Sequence, residues 1–104
     1  MSIFDDRETA YENKFAHDAE REFMAESLRN RWVAYWASEL MGKDASFAAD
    51  YAKTIIRTDF LSPGTEEVVA LLVKDLDGKA DEATVRAKLD ELLNAARKHL
   101  RGEA

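Results

Sequence analysis

The first glycine of this chain is Gly42 and its one proline is Pro63, so no helix breaker stands before residue 42. Along that stretch apolar residues recur in steps of four: Tyr11, Phe15 and Ala19, then Met24, Leu28, Trp32, Trp36 and Leu40. Such steps place side chains on one face of an α-helix. The phase slips between Ala19 and Met24, which predicts a hinge near residues 18–22. Before the slip, apolar residues are sparse and charges crowd: Asp5, Asp6, Arg7, Glu8, Glu12, Lys14 and Asp18. After it the face is heavily aromatic. The pattern divides the chain into a frayed or mobile arm, residues 1–18, and a packed domain, residues 19–104. The core helix of that domain runs over about 20–41 and stops at Gly42, which tolerates a left-handed backbone.

The remaining breaks predict three more helices. Asp44 is placed to cap a helix over about 45–60, its carboxylate taking a free amide of the first turn. Phe47, Tyr51, Ile55 and Thr58 lie along one side of it. Ser62-Pro63 reads as the start of a third helix, serine at the cap and proline at the first helical position, where a missing amide hydrogen costs nothing. Glu66 and Glu67 suit the positive end of its dipole. Val68, Val69, Leu72, Val73 and Leu76 form its apolar face, closed by Gly78. Asp81 caps a fourth helix with a seam of Val85, Leu89, Leu92, Leu93, Ala96 and Leu100. Arg97, Lys98 and Arg101 fall near its C-terminus, where cations are favoured. No segment alternates with period two. The expected fold is all-α: a four-helix bundle in which each apolar stripe is buried in a shared core.

Charge and composition narrow the function classes. A net charge of −6 argues against general binding to nucleic acid or to an anionic membrane. The absence of cysteine excludes disulfides and thiol chemistry. The N-terminus lacks the basic and apolar regions of a signal peptide, and no apolar run approaches the roughly 18 residues of a membrane span. The expectation is a cytoplasmic protein, acting on the soluble face of something larger.

The catalytic inventory is thin. There is no Gly-rich phosphate loop, HExxH, GxSxG or EF-hand loop, and no repeated Glu-x-x-His pair of a di-iron bundle. No metal site, required cofactor or enzymatic activity is expected. Glu20, Glu22 and Glu26 read as a solvated helix face. Trp32 and Trp36 are one turn apart, with Arg29 one turn before. Two readings stand: an arginine between indoles that holds a planar anion such as a nucleotide, or large core residues with Arg29 snorkelling to water, which the residues alone favour. His17, at the junction of arm and bundle, titrates near physiological pH when unperturbed, though an exposed histidine without a role is the plainer account.

Phe4-Asp5-Asp6-Arg7-Glu8, Lys14-Phe15-Ala16-His17-Asp18, Arg29-Asn30-Arg31 and Trp36-Ala37 resemble the zeta subunit of bacterial F-type ATP synthases. So do Tyr51-Ala52, Asp59-Phe60, Pro63-Gly64 and Val68-Val69, in the same order along nearly the whole chain. The FDDRE and KFAHD segments together are the specific part, and the tail after Gly78 carries no motif. The resemblance implies an inhibitor of ATP hydrolysis, peripheral to the inner membrane through the synthase. Its arm would enter the catalytic head between alpha and beta subunits and against gamma, and block hydrolytic rotation. Phe4, Tyr11 and Phe15 would anchor that arm, and Asp5, Asp6, Arg7, Glu8, Lys14 and His17 would supply its polar contacts. The resemblance also implies ADP or ATP as a regulatory ligand of the bundle, for which Arg29, Asn30, Arg31, Trp32 and Trp36 are the candidates. The alternative is an adenine-nucleotide-sensing helical adaptor with another partner.

Overall fold

The computed structural model describes the backbone of residues 3–102 and the side chains of residues 18–102. It contains four α-helices: α1 (Ile3–Leu40), α2 (Ala45–Leu61), α3 (Glu66–Leu76) and α4 (Glu82–Leu100). There is no strand among the described residues. Helix α1 packs along α2 and α4, and α3 closes the ring between those two. The backbone stays helical through residues 18–22, where the phase slip predicted a hinge. At about 1.5 Å per residue, its 38 residues reach roughly 57 Å, close to the 60 Å long axis of the molecule. Helices α2 and α4, of 17 and 19 residues, are about half as long. The side chains of the expected arm, from Phe4 to His17, lie outside the described residues.

The caps explain the corners. Helix α1 ends in a Schellman motif: the Gly42 amide donates to the Glu39 carbonyl (3.1 Å) and the Lys43 amide to the Ser38 carbonyl (2.9 Å). The motif needs a left-handed residue, and Gly42 supplies it at φ 72°. Asp44 and Asp81 cap α2 and α4 as expected, accepting from the Phe47 and Thr84 amides at 2.9 and 2.8 Å.

The corner between α2 and α3 differs from the expectation. Ser62 is not the cap of α3 but the residue that ends α2, extended at φ −130°, ψ 129°. Pro63 disfavours the helical region for the residue before it, and Gly64 at φ 77° cannot continue a helix. Helix α3 therefore starts only at Glu66, behind a Thr65 that makes no side-chain cap bond.

Val33, Ala34, Ala37, Ile55, Val68, Leu72, Leu76 and Val85 are all fully buried in the core. The centre of the α1 stripe is displaced by one position from the expected aromatic face. Ala25, Arg29, Asn30, Val33, Ala34, Ala37 and Ser38 are buried, whereas Met24 and Leu40 are exposed and Leu28, Trp32 and Trp36 are half-buried. Small residues let α2 and α4 approach α1 closely, and the large ones cover the edges of those contacts. Tyr51 ties α2 to α3 by donating its hydroxyl to Asp75 Oδ2 at 2.7 Å. Burial and that bond to a carboxylate raise its pKa well above the usual range.

Candidate functional site

The buried stripe of α1 carries a charge. Arg29 is only 3% exposed and Asn30 1%, so Arg29 does not snorkel to water. A buried guanidinium must be paired and hydrogen-bonded, and α2 supplies the partner. Arg29 donates through Nε and Nη2 to Asn30 Oδ1, at 3.1 and 2.9 Å. Its Nη2 also lies 3.5 Å from Asp59 Oδ2, and Asn30 Nδ2 donates to the same oxygen at 2.9 Å. The antiparallel pairing of α1 and α2 sets this register, for Arg29 and Asp59 each stand fifteen residues from Asp44.

Beside this cluster, α1 and α2 part to leave an open cleft of about 530 Å³. Phe23, Ile56 and Phe60 form its apolar walls, Ser27 and Asn30 give it a polar floor, and Lys53 and Arg57 bring two cations. Phe23 and Phe60 are 59% and 75% exposed. A second opening of about 340 Å³ adjoins the first, under the 62–65 corner, and shares Glu26, Asp59 and Phe60 with it. Glu26 is half-buried rather than on a solvated face. Its pKa is raised, first by burial and then by the charge of Asp59, against the pull of Arg29.

On the opposite side, between α1 and α4, the openings are smaller, about 200 and 140 Å³. Arg97 of α4 reaches across to Glu22 with Nε donating to both carboxylate oxygens, at 3.1 and 3.2 Å, and Nη2 to one of them. That bonding lowers the Glu22 pKa. Trp32 meets the His99 ring edge-on at 5.8 Å, and Lys88 stands over Trp36 at 5.7 Å.

The five residues expected to hold a nucleotide are thus not brought to one place. Asn30 lines the cleft and Arg29 backs it through Asn30 and Asp59, Trp32 and Trp36 face α4, and Arg31 is exposed. Glu26, Lys53, Arg57, Asp59 and Phe60, absent from that set, surround the cleft instead. One signal for them was available. A charge on a helix face that must be buried demands an opposite charge, and α2 holds only Asp50 and Asp59.

The fold and site define a small helical module built on one overlong helix, with an open, ring-walled cleft along it. Among the described residues no group of three or more histidine, cysteine, aspartate or glutamate side chains is placed to hold a metal, and no helix is long and apolar enough to cross a membrane. The family model described as ATPase inhibitor subunit zeta matches residues 1–99, and the chain belongs to that family. A protein structure solved by solution NMR is 38% identical, with a TM-score of 0.72, over 80% of this chain and 98% of its own. No curated protein matches.

Proposed function

We infer that this chain inhibits ATP hydrolysis by an F-type ATP synthase, with the N-terminal stretch of α1, up to about residue 18, as the inhibitory element. It inserts between alpha and beta subunits of the catalytic head and against gamma. The observation that carries this reading is that the family match includes the N-terminal stretch, on a helix about twice as long as its neighbours. A long helix anchored at one end presents a narrow insert on a rigid base, and Phe4, Tyr11 and Phe15 would supply apolar anchors, with Arg7, Glu8 and Lys14 pairing with charges of the head. The deciding experiment is an ATPase assay of the cognate head with the full chain and with a chain lacking residues 1–18. Inhibition is expected from the first only; equal inhibition by both sinks the arm.

The cleft supports a second part of the reading, an adenine nucleotide as regulatory ligand. Phe23 and Phe60 offer faces for a base, and Lys53 and Arg57 offer charges for phosphates. On titration with ADP, the resonances of Phe23, Lys53, Arg57 and Phe60 should move. Shifts confined to α3 and α4 would remove the ligand from this cleft. ADP binding without any effect on the synthase would favour an adaptor with another partner.

A further inference from the structure

Three cations and two carboxylates meet around the α1–α2 cleft, and they are not equally matched. Arg29 and Asp59 are engaged with each other and with Asn30. Lys53 and Arg57 stand on the α2 wall. Glu26 alone is a half-buried carboxyl that makes no hydrogen bond or ion pair with any described residue. It sits where the two openings join, common to both. A negative charge there opposes any anion that Lys53 and Arg57 attract, and it opposes Asp59 even in the empty cleft.

We propose that Glu26 makes this cleft a proton-linked anion site: an anionic ligand with a flat ring binds together with a proton on Glu26. The inference rests on the ligand reading given above and adds its regulation. Every charged group facing Glu26 bears on it. On α1 these are Glu22, one turn before it, and Arg29. On α2 they are Asp59, Lys53 and Arg57, and on α4 Arg97; the 62–65 corner carries no charge. Asp59 is already committed to the buried Arg29, whose charge it faces at 3.5 Å. The carboxyl is already disposed to protonate, since burial and Asp59 raise its pKa. Phosphates in the cleft add a further negative charge and raise it more. Linkage then requires that affinity rise as pH falls.

The test uses the full chain and its Glu26→Gln variant, with ADP as the probe, measured calorimetrically from about pH 4, near the ordinary glutamate value, to about pH 8. ADP phosphates titrate in this range themselves, but equally with both proteins, so the ratio of their affinities isolates Glu26. The variant should bind about three- to tenfold more tightly than wild type at the alkaline end, and the two should converge at the acid end. In buffers of different ionisation enthalpy, wild type should take up more protons on binding than the variant. In the wild-type chain alone, ADP should move the NMR titration midpoint of the Glu26 carboxyl upward, a readout independent of any variant's fold. A constant affinity ratio or an unmoved midpoint overturns the proton link and leaves the ligand reading standing. No ADP binding by either protein at any pH overturns both.

Discussion

Helix α1 is packed on two sides in opposite ways. Toward α4 it presents bulk and exposed charge: Trp32, Trp36 and the Glu22–Arg97 fork, whose side chains are 43% and 41% exposed. Toward α2 it presents a buried charge, with the Arg29 side chain 3% and Asp59 13% exposed. The first seam is covered at its edges by large side chains and leaves only small openings. The second is spaced by a polar cluster that hydrophobic burial alone would not place there, and the open cleft lies beside it. A buried ion pair is a poor source of stability compared with apolar side chains of the same volume. Its use here is positional: it sets the α1–α2 register and orients Asn30 and Asp59 at the cleft.

The contrast is most exposed to disproof at Asp59. Asp59→Ala leaves the Arg29 guanidinium buried without its anion, a loss of about 3–5 kcal/mol and a fall in melting temperature of well over 10 °C at roughly 4–8 °C per kcal/mol. Denaturant titration would measure it. A loss under about 1 kcal/mol would mean that Arg29 swings out to water, and that the two seams are not so different.

Next in size is Ala37→Leu. Ala37 is fully buried where α1 meets its neighbours, and added bulk there should cost about 1–3 kcal/mol by forcing the helices apart. A smaller enlargement at exposed Tyr35, as Tyr35→Trp, should cost almost nothing.

These two residues also mark how far the chain could be read unaided. Four helices, the Asp44 and Asp81 caps and the Gly42 stop were legible because each rests on local chemistry. The start of α3 was not, because Ser62-Pro63 fits a helix start and a helix end equally well, and Gly64 decides between them. Nor was the buried face of α1. Large apolar residues at steps of four drew attention to Trp32 and Trp36, while close packing needed the alanines one position on. The cleft escaped for a related reason: its residues come from two helices, and only the antiparallel register brings Asp59 and Lys53 to Glu26 and Phe23.

A smaller effect separates the seams by pH. Glu22 is held below the usual carboxylate range, first by the Arg97 hydrogen bonds, with burial opposing. A depressed folded pKa means that stabilisation is present above the unfolded value and lost as pH falls through the folded one. Glu26 has the opposite sign: its raised pKa means that stabilisation is present below the unfolded value and lost as pH rises through the folded one. Glu22→Gln should therefore lower stability at neutral pH, by no more than about 0.5–1 kcal/mol for so exposed a pair, and the loss should vanish in acid and shrink in high salt. Glu26→Gln should do the reverse, raising stability at neutral pH and making no difference in acid. Melts of both variants across pH would show it, and parallel curves would mean that the seams do not differ in this respect.

The smallest stability effect is expected at Phe60, and there the two seams part in function rather than in folding. A phenyl ring 75% exposed at the cleft contributes little to the core, so Phe60→Ala should alter stability by less than about 0.5 kcal/mol. If the ring stacks on a bound base, its removal should still weaken ADP binding about fivefold, the equivalent of roughly 1 kcal/mol. Trp36→Ala on the α4 seam should show the inverse: a half-buried ring lost from packing, with a clear drop in melting temperature and ADP affinity unchanged. A Phe60 variant that binds ADP normally, beside a Trp36 variant that does not, would move the ligand to the α4 side of the same helix.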